Sequence, residues 1–315
     1  MTYVLVLAVL ALAFPWAAAP AARRLAGVLP PREASWALTG AAVLLAGGTV
    51  AALIGLFHVP FLASLERVPL PRVLEVWPAA VPFACAAGAV LLAQLVLLIR
   101  RRLQHWSLIR RAWLAAAGGT GEGDLLVVPG AGVDAFALPG HRGRLGRVVV
   151  TSGMVRALKA REREVLLAHE RAHLAGRHHL LSAVADLASV IHPALRGVRE
   201  SLAFHLERWA DEAAATAVGD RRVAAAALAR AALAGSSHGR PGPSGYPLLS
   251  ATSGPVPRRV EALLLPEPVA PRGRARRAGA AALAGAVALA ALTALGLAYG
   301  VHEYVEYAAV AVRAG

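Results

Sequence analysis

The sequence predicts a mainly α membrane protein, with about four transmembrane helices and a cytoplasmic α+β domain that carries a small β-sheet. Three observations predict it. The chain is 57% hydrophobic over 315 residues, more apolar than an ordinary soluble domain. Its apolar residues gather in four runs, about 2–20, 36–59, 79–99 and 278–300, each roughly 20 residues and so able to cross ~30 Å of hydrocarbon. Between the third and fourth runs, short β-type stretches and turn signals give way to helical stretches. The organisation that follows is a three-span membrane region over 1–102, a cytoplasmic domain over 103–277, a C-terminal span over 278–300 and a short extracytoplasmic tail over 301–315.

The first run could pass for a signal peptide, because Ala17-Ala18-Ala19 resembles a cleavage site. No basic segment precedes it, and Arg23 and Arg24 follow it, so we read a retained span with the N-terminus outside. The loop after it adds Arg32, the third run ends in Arg100-Arg101-Arg102, and Arg272, Arg274, Arg276 and Arg277 precede the fourth. With alternating sides, every strongly basic segment then faces the cytoplasm and the C-terminus lies outside. The net charge is +14, and Lys159 is the only lysine. Arginines beside apolar runs are orientation signals, so the expected partner is membrane lipid and no direct nucleic acid contact is expected. One cysteine, Cys85, excludes a disulfide framework and a cysteine metal site within one chain.

In the cytoplasmic segment, Leu125–Val128, Asp134–Leu138 and Arg147–Val150 read as strands separated by Pro-Gly and Gly turn signals. Thr151-Ser152 can cap the helix that follows. A helix is expected from Arg161 to about His179. The apolar run Leu180–Leu195 contains Asp186, His192 and Pro193. It reads as a helix packed in the domain or lying against the membrane, in preference to a fifth span, which would part Glu207 from His169. Residues 236–254, rich in Gly, Pro and Ser, read as a loop.

The chemistry sits in His169-Glu170-Arg171-Ala172-His173. Residues four apart share a helix face, so His169 and His173 can address one metal ion, and Glu170 can reach a water on it. This is the spacing of zinc-dependent peptide hydrolysis. Catalytic zinc usually takes three protein ligands, and Glu207, on the helical stretch Glu207–Ala215, can complete a His, His, Glu site. Taken alone, Glu207 could be a solvated carboxylate paired with Arg208 or Arg199; beside the first motif the ligand reading is preferred. Asp211, one turn after Glu207, can hydrogen-bond the free ring nitrogen of a ligating histidine. Glu170 is the expected catalytic base. His178, His179, His205 and Arg208 are candidates for oxyanion or substrate contacts, with no basis for choosing among them. Ala135, Phe136, Ala137 and Leu138 form either an edge strand that binds substrate by β-augmentation or an ordinary interior strand.

Four segments in this order, Ala135-Phe136-Ala137-Leu138-Pro139-Gly140, Arg147–Gly153, His169–His173 and Glu207-x-x-Ala210-Asp211, resemble integral-membrane zinc metallopeptidases. The nearest resemblance is to the BlaR/MecR-type family, and the HtpX and CAAX-prenyl-protease group shares the motif order. Arg259-Val260-Glu261-Ala262-Leu263 resembles a closing element of that wider group. The resemblance implies a zincin-like (gluzincin) domain in a multi-pass bacterial cell membrane. It also implies one Zn2+ per chain held by His169, His173 and Glu207, with Glu170 as base. The implied output is regulatory proteolysis: cleavage of a protein substrate such as a cytosolic winged-helix repressor, or self-cleavage. BlaR/MecR sensors carry a β-lactam-binding domain after the last span, whereas this sequence ends at Gly315; antibiotic sensing is therefore not expected. Two other readings stay open: a non-catalytic zinc-binding membrane signalling or scaffold protein, and a membrane-protein quality-control protease of HtpX type.

Overall fold

Three long apolar helices open the chain in the computed structural model, which describes residues 2–65, 78–141, 143–237 and 255–268, with 71, 74, 75, 285 and 310 as isolated positions. They are α1 (Thr2–Ala26), α2 (Pro31–Leu65) and α3 (Ala80–Ala115). Pro31 opens α2, where a missing N–H goes unnoticed. Buried Ser35, Thr39 and Thr49 return their hydroxyls to the carbonyls of Pro31, Ser35 and Leu45 at 2.8–2.9 Å, which satisfies polar groups on an otherwise apolar helix.

Among the described residues, two helices are long and apolar enough to cross a membrane, Pro31–His58 and Ala80–Gly118. That is two of the four expected spans. The first expected span falls within α1, and the fourth, 278–300, lies outside the described residues. The two qualifying helices differ in packing. In α2, 44% of the apolar window is buried within the protein, against 17% in α3. So α2 is the central post, touching α1, α3 and later helices, while α3 turns Leu92, Leu95, Val96, Leu97 and Ile99 outward. The third span was expected to stop at 99, but α3 continues through Arg100-Arg101-Arg102 for about four more turns. Arginine, glutamine and leucine are good helix formers, and Leu108, Ala112, Trp113 and Ala116 have a surface to cover: the sheet residues Leu126, Phe136, Leu138 and Val149.

That sheet has three strands, β1 (Leu125–Val128), β2 (Ala135–Leu138) and β3 (Arg147–Thr151), in the order β1-β3-β2. β3 is central, parallel to β1 and antiparallel to β2, with Phe136 opposite Val149 and Leu138 opposite Arg147. Thr151 ends β3 and caps α4 (Ser152–Ala157), its hydroxyl accepting from Met154 N at 3.2 Å.

Next comes α5 (Ala160–Ala175), started by Glu162, whose carboxylate accepts the Lys159 N–H at 2.9 Å. The helix was expected to run to about His179. It stops at Ala175, because Gly176 caps it and Arg177 takes a left-handed conformation with φ 48°. A Cβ at Gly176 would lie 2.4 Å from His178 Nε2, so any larger residue here would displace that ring.

Beyond the turn, α6 (His178–Ile191) packs against α2 and α3. Pro193 then begins a short 3-10 turn, Pro193–Leu195, and α7 (Arg196–Val218) runs back beside α6. The run 180–195 is thus one arm of a hairpin and returns the chain to the side it left. Its tip reaches well along the apolar helices: Gln94 Nε2 donates to Ile191 O at 3.0 Å, and His192 Nε2 meets Leu12 O at 3.0 Å. Gln94 precedes Arg100 by ~9 Å of helix rise. Asp186 pairs with Arg199 at 2.9 Å and Arg101 at 4.0 Å. Ala34, Leu38, Leu45, Leu181, Leu195, Val198, Leu202 and Leu206 share one core across α2, α6 and α7. Finally α8 (Arg221–Ser237) and α9 (Val256–Leu264) close over α5 and α7.

This shared core makes a prediction. Leu202, fully buried on α7, should cost ~2–5 kcal/mol when cut to alanine, while exposed Leu264 should cost little. Thermal unfolding of the two variants in detergent measures the difference.

Candidate metal centre

Two buried helices supply the site. His169, Glu170 and His173 stand on α5, and Glu207 and Asp211 on α7, which packs against it. His169 Nε2 and His173 Nε2 lie 3.1 Å apart, and the Glu207 carboxylate oxygens are 3.6 Å from each. One donor atom from each of the three lies within 4.8 Å of the others. Tetrahedral ligands at ~2.0–2.1 Å from one metal stand about 3.3 Å apart, so the spacing fits a single ion.

The ring nitrogens facing away support the same reading. His169 Nδ1 meets Asp211 Oδ1 at 3.1 Å, and His173 Nδ1 meets His178 Nδ1 at 2.8 Å. With a proton on each Nδ1, the two Nε2 lone pairs are free to bind one cation between them. Charge balance agrees. Glu170, Glu207 and Asp211 are buried, and the guanidinium among them is Arg259, so with His169 neutral and Glu170 ionised, three carboxylates and one guanidinium leave two negative charges. A divalent cation offsets both.

In the absence of a cation the histidines divide the work. Burial opposes a charged His169, but hydrogen bonds to Asp211 and Glu207 outweigh it and push its pKa up to about 10. Burial holds His173 neutral, with its pKa lowered to about 3. Burial also raises Glu170 to about 7; the His169 charge works against this, Glu207 and Asp134 reinforce it, and the Ala137 N–H bonded to its carboxylate opposes it. Glu170 is 1% exposed, and its Oε1 has no hydrogen-bond partner among the described residues. A buried carboxyl with one free oxygen and a pKa near neutrality has the properties of a proton-transfer group.

The Ala137 contact also places β2. Asp134 turns its backbone toward Thr151 on β3. Peptide groups alternate along an antiparallel strand, so Ala135 and Ala137 face the other way, toward α5 and Glu170. β2 is therefore the edge strand of the sheet, and its side away from β3, buried along all four residues, faces α5 and the candidate metal ligands.

The remaining candidates separate. His178 is brought in: it is buried, it bonds His173, and its ring lies 4.5 Å from that of Trp209. Its contact is with a ligand's outer nitrogen, a position that orients His173. His179, half-buried, has no contact with the ligands. His205 and Arg208 stand on another face of α7, seven and four residues before Glu212, and Arg208 is bonded to Glu212 at 2.8 Å. They do not reach the ligand cluster, because residues 205, 208 and 212 form one helical stripe and 207 and 211 another.

Sequence reasoning missed Arg259 as a site residue. It stands on α9 and is fully buried. Nη1 lies 2.8 Å from Glu207 Oε2, and Nε and Nη2 grip both Asp211 oxygens at 2.8 and 2.7 Å. The available signal was indirect: two carboxylates one turn apart on a buried helix face need a cation, and Arg259 is the arginine in the segment read as a closing element.

Two measurements follow. At pH 7 His169 carries a proton that must leave before it can ligate, so metal binding should release about one proton per site; calorimetry in buffers of different ionisation enthalpy counts it. Arg259→Met leaves Glu207 and Asp211 without their counter-ion, and Asp211→Asn removes the carboxylate behind His169. Each should weaken metal affinity ~10–100-fold, read by chelator competition.

The comparisons with known proteins agree with this geometry over part of the chain. No curated protein and no solved structure matches it. Residues 107–203, a little under a third of the length, match the model of peptidase family M48. The matched segment spans the sheet, α5 and the first part of α7 and stops short of Glu207, so it supports the M48 metallopeptidase family in general, and the third ligand rests on the structure.

Proposed function

We propose that the protein is a membrane-embedded zinc endopeptidase that cleaves a protein substrate at the cytoplasmic face. The observation that carries this reading is the convergence of His169, His173 and Glu207 beside Glu170, whose carboxyl borders the open edge of β2. Zinc held by those three residues would polarise the scissile carbonyl and acidify a water.

The chain's own residues account for the rest. Asp211 and His178 hold the two imidazoles with their Nε2 atoms turned inward. Glu170, buried and hydrogen-bonded by Ala137 N–H, receives the proton of the attacking water and delivers it to the leaving nitrogen. The Ala135 N–H and C=O and the Ala137 C=O, which face away from β3, pair with an extended substrate, which favours segments able to lie as a strand. The hairpin of α6 and α7 keeps Glu207 on the same side as His169, and the basic ends of α1 and α3 support a cytoplasmic position for that side. A membrane-tethered peptidase on this face suits regulatory proteolysis, with a cytosolic winged-helix repressor or the protein itself as substrate.

Glu170→Gln should keep its zinc and lose about 10²–10⁴ in cleavage rate. The trapped substrate, recovered with the variant and identified by mass spectrometry, names the target. Retained cleavage would sink the assignment. In the native enzyme the base form of Glu170 exists above its pKa. Activity should therefore fall as pH drops through an acid limb at or below pH 7, because the positive metal pulls the carboxyl down from about 7. A kcat/KM profile from pH 5 to 8 locates the limb.

A further inference from the structure

His178 orients His173 through one contact, between the two Nδ1 atoms at 2.8 Å. His173 Nε2 is turned toward His169 Nε2 and Glu207. A neutral His173 therefore carries its proton on Nδ1 and donates it to His178 Nδ1, and His178 must keep its own proton on Nε2. That nitrogen is buried and has no hydrogen-bond partner among the described residues. A buried N–H without a partner is costly. Hydrogen bonding alone thus does not explain why the His178 ring stays where it is, and packing has to hold it.

The packing is on the page. The His178 ring lies 4.5 Å from the Trp209 ring, tilted by 51°, and meets the His173 ring edge-on at 4.7 Å. Gly176 stands against Nε2, where even a Cβ would come within 2.4 Å. Trp209 is fixed in its turn. The guanidinium of Arg32, on the first turn of α2, lies 5.6 Å from the Trp209 ring centroid, and Trp209 packs against the core shared by α1, α2, α6 and α7. A guanidinium near an indole ring is attracted to its face.

Resting on the metal-centre reading, we propose that Trp209 is a positioning residue, which clamps His178 so that His173 Nδ1 stays engaged and His173 Nε2 stays aimed at the metal, with Arg32 steadying the indole. Trp209 follows Glu207 by two residues on α7. One helix then sets two of the three donors, Glu207 directly and His173 through Trp209 and His178. The α2 end of the apolar bundle reaches the metal donors by the same route.

The test is a double-mutant cycle on zinc affinity, measured on the full-length protein in detergent by chelator competition. Trp209→Leu should weaken zinc binding about tenfold, and Trp209→Phe, which retains a ring face, much less. In a His178→Ala background Trp209→Leu should change affinity by no more than about twofold, because the contact through which it acts is gone. Arg32→Met should give a smaller loss that the same background abolishes, and it keeps the test open should Trp209→Leu not fold. Equal losses in both backgrounds would mark Trp209 as a filler of the core and overturn the proposal, as would native affinity in Trp209→Leu. Imidazole 15N NMR of the zinc-free protein reads the clamp independently. The His178 signal, identified by its absence from His178→Ala, should report a ring protonated on Nε2, and a mixture of tautomers in Trp209→Leu and Arg32→Met. A wild-type chain that binds no zinc defeats the metal reading alone, since the NMR still tests the clamp. A His178 ring protonated on Nδ1, or one that both substitutions leave unchanged, defeats the clamp.

Discussion

The buried ion cluster joining α5, α7 and α9 is the constraint on which the rest of the structure hangs. Glu207 and Asp211 lie one turn apart on α7, both out of water. Two carboxylates in that position cost several kcal/mol each unless paired. Arg259 bonds both and His169 bonds Asp211, so the three helices must meet at this place and in this rotation. The same contacts that make burial tolerable also aim His169 Nε2 at Glu207. Positioning of the donors and stability of the helix packing are therefore one requirement.

The second constraint is how α7 is held. Its C-terminal half carries Glu207 and Asp211, while its N-terminal half contributes Val198, Leu202 and Leu206 to a core shared with α1, α2 and α6. The candidate metal ligand Glu207 is thus anchored to the most apolar helices of the protein. Pro193 and the Gln94 and His192 contacts turn the hairpin where it meets those helices. A site mounted this way sits at the ends of the apolar helices, on the side marked by Arg23, Arg24 and Arg100–Arg102.

Much of the site was legible because helical spacing is a local property. His169 and His173 share a face whatever surrounds them, and Glu207 and Asp211 do likewise. The three strands were legible from their Val, Leu and Phe runs and their bounding glycines and prolines. The helix ends were less so. The extension of α3 past Arg102 depends on the sheet that Leu108, Ala112 and Trp113 cover, and the stop of α5 at Ala175 depends on the fit of Gly176 against His178. Hydropathy reports where a helix is apolar, which differs from where it ends.

By itself the sequence determined the candidate ligands on each helix, their pairwise spacing and the apolar helices, because each follows from neighbours a few residues apart. Only the tertiary structure decided that the α6 run folds back, that β2 presents an open edge to Glu170, that His178 serves His173 while His205 and Arg208 look elsewhere, and that Arg259 enters the cluster from 48 residues beyond Asp211. These are contacts between distant segments. Their sign depends on which charges are buried together, and a sequence read locally does not hold that information.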